Sequence, residues 1–278
     1  MASDTIIQVR NLWYQYRDDI VALKGVDLDI EAGEFVAVIG QNGSGKTTLV
    51  RHFNGLLKPA SGKVLVGGQD TRKVDVGALA RTVGFVFQNP DHQIFCATTR
   101  EEVAFGPRNL GLEGEELDGR VEEALHRFGL VELADSPPAV LGFGMRRKIS
   151  VASVYAMRPR VFVLDEPTTG LDWRNSMSLM DTVRSMHEDG HTIILVTHDM
   201  KLVCEFAQRS LVLRDGGILA YDDTREIFKR SEILKETGIE PPQIAELSKR
   251  MMSYGMPDDV LTVDEFRAAY VGIGRSLR

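Results

Sequence analysis

The stretch Gly40-Gln41-Asn42-Gly43-Ser44-Gly45-Lys46-Thr47 constrains this chain more than any other feature. It follows the apolar run Glu34–Ile39, which reads as a strand, and opens into Thr48–Leu57, which reads as a helix. In that setting a glycine-rich turn aims successive backbone N–H groups at one spot without Cβ interference, and the helix N-terminus adds partial positive charge. Gly40, Asn42, Gly43, Ser44, Gly45, Lys46, Thr47 and Thr48 are therefore the candidate phosphate cradle, the P-loop pattern. Lys46 supplies a mobile point charge for β and γ phosphates. The Thr47 hydroxyl suits Mg²⁺, a hard cation that takes oxygen ligands and bridges those phosphates. A chance glycine turn would account for neither the strand before the loop nor the helix after it.

The rest of the chain is organised to match. Further β-rich runs, Val26–Ile30, Lys63–Val66 and Val83–Phe87, precede a stretch from about residue 90 to 157 with helical apolar spacing at Val121, Leu125 and Phe128, read as an inserted helical subdomain. Val161–Leu164, Arg174–Asp189 and Thr192–Val196 then alternate strand, helix and strand, the signature of crossover units in a parallel sheet. From about Tyr221 the strands stop, and Thr224–Phe228, Ile244–Tyr254 and Val263–Tyr270 read as helices around Pro241-Pro242. The expected units are residues 1–220 and a helical extension, 221–278. Of 278 residues, 43% are apolar, enough for sizeable cores, and a net charge of −7 argues against a general nucleic-acid binder. No apolar run is long enough to span a bilayer. Met1–Gln8 shows no secretory leader, and Cys96 and Cys204 form no disulfide framework, so a reducing compartment is expected.

At the end of the apolar strand Val161–Leu164 come Asp165 and Glu166, placed where parallel sheets present their ligand-binding edge. Asp165 can hold hydrated Mg²⁺. Glu166 can polarise a water attacking the γ-phosphate, which favours hydrolysis over transfer to a metabolite. A strand-end acidic turn is the plain alternative.

From Ile7 to Ala220 these motifs, in this order, resemble the nucleotide-binding subunits of ATP-binding cassette transporters. The resemblance implies an α/β fold: a P-loop NTPase parallel-sheet core with an antiparallel β subdomain, an inserted helical subdomain and a small helical C-terminal extension. It assigns Tyr16 to stacking on adenine, Gln88 to coupling Mg²⁺ and water to membrane subunits, Asp172 to a loop touching the partner subunit, and His198 to the switch position. Glu166, His198 and Gln88 are thus the candidate catalytic residues, and Thr47, Gln88 and Asp165 the candidate Mg²⁺ residues. Where the family has Leu-Ser-Gly-Gly-Gln, this chain reads Leu141-Gly142-Phe143-Gly144-Met145. Gly142 and Gly144 would meet the γ-phosphate held by the other subunit through backbone N–H groups alone, without the serine hydroxyl or glutamine amide; either hydrolysis is slow at sites this segment completes, or the backbone does all the work.

Phe87–Phe95 and the tail around Pro241-Pro242 and Leu261–Phe266 look like the energy-coupling-factor branch, which imports vitamins or transition metals. Phe143 with Arg146-Arg147-Lys148 resembles its cobalt and nickel members, so cobalt import is expected ahead of nickel or a vitamin. The implied assembly is two such subunits, a homodimer or this chain with a paralogue, closing head to tail on ATP and Mg²⁺ at the cytoplasmic face of the membrane, with integral-membrane coupling and substrate-binding subunits and no nucleic acid. Gln88–Phe105 is the expected docking surface. A soluble DNA-repair or ribosome-associated cassette would carry a long coiled-coil insertion or a second cassette, and a small-molecule kinase an acceptor lid; neither is legible here. His187-Glu188-Asp189-Gly190-His191 matches the zinc-protease pattern, but Gly190 reads as ending the helix, so the imidazoles should diverge. Arg146-Arg147-Lys148 reads as a solvated or ATP-facing basic patch.

Overall fold

The computed structural model describes residues 4–17 and 20–276, so Met1–Ser3 of the leader reading lie outside it. Along the chain run β1 (Thr5–Gln15), β2 (Val21–Glu31), β3 (Phe35–Ile39), α1 (Lys46–Phe53), β4 (Ser61–Val66), β5 (Gln69–Asp70), α2 (Val76–Leu79) and β6 (Val83–Val86). Next come three helices, α3 (Thr99–Asn109), α4 (Gly114–Arg127) and α5 (Phe143–Tyr155). They are followed by β7 (Val161–Asp165), α6 (Trp173–Glu188), β8 (Thr192–Val196), α7 (Met200–Phe206), β9 (Arg209–Arg214) and β10 (Gly217–Asp223). The tail is α8 (Thr224–Lys229), α9 (Ser231–Thr237), α10 (Gln243–Arg250) and α11 (Val263–Ser276).

The strands form a six-stranded sheet in the order β10-β9-β3-β8-β7-β6 and a four-stranded sheet in the order β2-β1-β4-β5. In the larger sheet every pairing from β9 to β6 is parallel, and β10 closes antiparallel on β9. The smaller sheet is antiparallel throughout. β3, β7 and β8 are buried at every position, as strands covered on both faces must be. Alternation along β3 divides the apolar interior: Phe35, Ala37 and Ile39 join a core with α3 to α7, whereas Val36 and Val38 join one with Leu49, Val50 and Phe53 of α1 and the antiparallel sheet. Ile227, Phe228, Ile233, Leu234 and Ala245 of the tail pack into the first of these cores.

The parallel-sheet core, the antiparallel sheet, the helical insert and the helical tail stand as the fold class expected. Local boundaries differ. The helix after the glycine loop starts at Lys46 and ends at Phe53. The last strand continues to Asp223, and α9 adds a tail helix that the spacing did not show. β1 was invisible because its alternation is broken: the register slips between Arg10 and Trp13, and Asn11 sits at φ 45°. Gly190, at φ 95°, follows the end of α6; His187 Nε2 bonds Gly33 O at 2.9 Å and His191 Nδ1 bonds Pro159 O at 3.0 Å, so the two imidazoles serve different carbonyls.

The bulge gives a test of packing. Gly62 faces it at φ 80°, and a Cβ there would lie 2.0 Å from Asn11 O, whereas Gly68 has the same φ with nothing within 4 Å. We expect Gly68→Ala to cost about 1 kcal/mol from backbone strain alone and Gly62→Ala roughly 3 kcal/mol or more. Urea unfolding of the two variants checks this; equal losses would show that the clash relaxes freely.

Candidate nucleotide site

Parallel pairing brings the site together. β3 pairs with β8 and β8 with β7, so the loop after Ile39, the turn after Val196 and Asp165–Glu166 all emerge at one sheet edge. The glycine loop is shaped by close backbone approaches. A Cβ at Gly40 would lie 2.2 Å from Leu213 O, and one at Gly45 2.7 Å from Ala22 O, with φ of 143° and 104°. Only glycine fits either place. Gly45 is the N-cap of α1 and offers no side-chain cap, which leaves the first N–H groups of the helix open to an anion.

Three polar groups converge on this loop. Lys46 is 9% exposed, and its Nζ donates to Gly40 O at 2.8 Å and Gln41 O at 2.9 Å, which folds the ammonium over the loop where phosphate oxygens would compete for it. Burial pushes the Lys46 pKa down, with Glu166 and Asp165 opposing. Ser44 Oγ is buried without a hydrogen-bond partner, an orphan hydroxyl inside the cradle that a phosphate oxygen would satisfy. Thr47 Oγ1 donates to Asp165 Oδ1 at 3.2 Å. Asp165 is 3% exposed, and burial pushes its pKa up while the Thr47 hydroxyl and the Arg51 and Lys46 charges pull it down. A hydroxyl and a carboxylate side by side are the hard oxygen donors that Mg²⁺ takes.

Glu166 stands one residue beyond β7 in a left-handed backbone conformation, φ 50°, held by the bond from its own N–H to Val196 O at 2.9 Å. Its Oε1 lies 2.8 Å from His198 Nδ1, and its Oε2 accepts from Thr169 Oγ1 at 3.2 Å. A carboxylate fixed at both oxygens, one of them on an exposed imidazole, is an oriented proton acceptor. Gln88, Glu166 and His198 line one cavity of about 780 Å³ with Gly40, Gln41 and Asn42. Its far wall is the tail bend Thr237–Gln243, a placement that no motif or spacing signals; a Cβ on Gly238 would come within 2.9 Å of Gln41 Nε2.

Other expected residues are placed differently. Tyr16, just past β1, puts its hydroxyl 3.0 Å from Thr48 Oγ1 and its ring edge-on to Tyr14 at 5.0 Å, beside the start of α1. Gly142 is the N-cap of α5, without a side-chain cap. Gly142, Gly144 and Asp172 do not line the cavity of their own chain. Asp172 caps α6 instead, accepting from Asn175 N and Nδ2, both at 2.8 Å, and the backbone bond holds its pKa below the usual carboxylate range. Phe143 packs against Gly170, where a Cβ would lie 2.9 Å from its ring, so the segment 141–145 rests on the loop that leads into Asp172. The basic cluster needs correction: Arg147 is fully buried, not solvated, and Arg146 pairs with Asp91 at 3.4 Å.

The family described as ABC transporter matches residues 23–169. A putative ABC transporter ATP-binding protein of Caldanaerobacter subterraneus subsp. tengcongensis is 47% identical over 89% of this chain; the chain spans 44% of that longer protein. The energy-coupling factor transporter ATP-binding protein EcfA of Methanothermobacter thermautotrophicus is 40% identical over 94% of this chain and 85% of its own. Among solved structures, cbiO1 from Clostridium perfringens, described as part of the ABC transporter complex cbiONQ, superposes with a TM-score of 0.75 at 36% identity over 88% of this chain and 99% of that one. A dimeric ATP-binding cassette, MJ0796, bound to ADP and Pi after hydrolysis, superposes with a TM-score of 0.71 at 30% identity over 78% of this chain and 98% of that one. With the phosphate loop, the strand-end carboxylates and the helical insert in one fold, the chain belongs to the ABC transporter family, as an ATPase subunit of the energy-coupling-factor type.

Proposed function

We propose that this subunit hydrolyses ATP between two cassettes to drive import of cobalt through integral-membrane partners at the cytoplasmic face. The observation that carries the reading is the meeting of Lys46, the Thr47–Asp165 pair and the Glu166–His198 pair at one sheet edge. Gly40–Thr48 would hold the phosphates, with Ser44 Oγ donating to one and Lys46 exchanging its loop carbonyls for the β and γ oxygens. Thr47 and Asp165, with Gln88 near, would hold Mg²⁺, which when bound neutralises charge developing on the β and γ oxygens. Glu166 would accept the proton of the attacking water, and His198 would either orient that carboxylate through Nδ1 and accept from the water at its other ring nitrogen or turn that nitrogen's N–H toward a γ-phosphate oxygen. Tyr16 would lie against the adenine.

Gly142, Gly144 and Asp172 lie off the cavity of their own chain, which supports a part for them across a dimer. The segment 141–145 would cover the γ-phosphate of a second copy, head to tail, and its bare N-cap would supply backbone N–H groups alone. Residues 1–220 would form the cassette, with the tail helices from 221 onward steadying the pair. The docking reading for Gln88–Phe105 is supported by Phe95 and Phe105, which meet edge to face at 4.5 Å while 64% and 41% exposed. They border an apolar groove of about 380 Å³ with Phe85, Phe87 and Met157, suited to an apolar helix end of a membrane subunit. Cobalt as cargo is supported by Phe143 and the basic triplet after it, and by the likeness to cbiO1.

Glu166→Gln should bind ATP within a few-fold of wild type and lower turnover at least about a hundredfold, trapping an ATP-bound dimer on gel filtration; normal turnover would remove Glu166 as the base. Restoring the missing side chains, Gly142→Ser with Met145→Gln, should raise turnover several-fold at saturating ATP; an unchanged rate would show that the backbone suffices. In membranes holding the co-purifying partners, Phe95→Ala with Phe105→Ala should leave ATP binding intact and abolish sedimentation with the membrane. ATP-driven uptake by the assembled complex, assayed with cobalt, nickel and vitamins, decides the cargo.

A further inference from the structure

The loop that carries Gln88 is fastened to helix α5 at three points. Arg147, fully buried, donates from Nη1 to Phe87 O at 2.7 Å and from Nη2 to Gln88 O. Gln93 works from the other side: its Oε1 accepts from Phe87 N at 3.3 Å, and its Nε2 donates to Ser150 O at 2.8 Å and Ser153 Oγ at 3.2 Å. Arg146 adds its ion pair to Asp91. The Arg147 guanidinium lies 5.5 Å from the centre of the Phe143 ring, the residue at the heart of the divergent 141–145 segment. No carboxylate pairs with Arg147 among the described residues, and its Nε has no partner. Burial lowers its pKa to about 10, opposed by the Asp165 charge, so it stays cationic at neutral pH.

An uncompensated buried cation is costly, and here its counterweight is two backbone carbonyls of a single loop. A lysine would hold both carbonyls from a single nitrogen, as Lys46 does in its own loop, whereas the planar fork of arginine gives each carbonyl its own nitrogen and so fixes their direction. The carbonyls belong to Phe87 and Gln88, so the contact fixes the direction in which the Gln88 side chain leaves the backbone toward the cavity. We propose that Arg147 is a positioning residue for hydrolysis: it ties Gln88 to α5, so that Gln88 moves as one body with the segment 141–145 and not with the phosphate loop. A displacement of the helical insert is then delivered to Gln88 without slack, whereas Lys46 and Thr47 stay with β3.

The inference rests on the ATPase reading above, and its test separates the two. In the full chain, hydrogen exchange without nucleotide should show amides of residues 87–94 exchanging at least tenfold faster in Arg147→Met, with residues 40–53 unchanged. In the ATPase assay Arg147→Met should lower kcat at least tenfold while KM for ATP stays within twofold, and Arg147→Lys should fall between it and wild type. Wild-type kcat in Arg147→Met, or equal losses in kcat and ATP binding, overturns the proposal; so does exchange that spreads to residues 40–53. Should Arg147→Met fail to fold, Gln93→Leu releases the loop from the opposite side, and there a kcat within twofold of wild type overturns it. A wild-type chain that binds no ATP overturns the ATPase reading itself, whatever the exchange data show.

Discussion

The parallel register of β3, β8 and β7 is the constraint from which the site follows. Because Val38 pairs with Val196 and Asp165 with the same residue, the ends of three strands lie side by side, and whatever follows each strand is delivered to one place. A phosphate loop, and a pair of carboxylates and a histidine more than a hundred residues downstream of it, need no further device to meet. The strands hold that register because they are buried on both faces, and a slip of one residue would turn Phe35, Ala37 and Ile39 out of their core. Sheet packing and site geometry are in this sense the same fact.

What the sequence made legible was local. Gly40–Thr47 and Asp165–Glu166 are each short, carry their own strand context and sit where that context places them. The strand Thr5–Gln15 is not legible because the bulge at Asn11 destroys its period, and the antiparallel closure of β10 on β9 because no run reports its pairing partner. The chemistry of Arg147 was misread for a related reason. Charge runs usually face solvent, and only the spatial neighbourhood of α5 shows that one member of the triplet turns inward while Arg146 remains at the surface with Asp91. No spacing rule reports that a tail 190 residues downstream of the phosphate loop will form a wall of its cavity.

The tail is more than an appendage to the sheet. Arg214, at the end of β9, pairs with Glu236 of α9, and Arg225 with Glu265 of α11. Together with Ile233 and Leu234 in the main core, these contacts set the bend at Gly238 against Gln41. Gly238 is left-handed at φ 59°, the usual way to end a helix, and the two prolines after it keep α9 from running on into α10, whose N-cap is Pro242.

Glu166 adopts a backbone conformation that side chains with a Cβ avoid. That state costs on the order of 1–3 kcal/mol and persists because the strand before it and the bond to Val196 allow no other path. Glycine at this place would relax the chain and raise the melting temperature while discarding the carboxylate. Improvement of this protein by heat challenge alone would therefore drift toward losing the carboxylate that faces His198 and Thr169, and any campaign to harden the fold while keeping that pairing must hold residue 166 fixed from the outset.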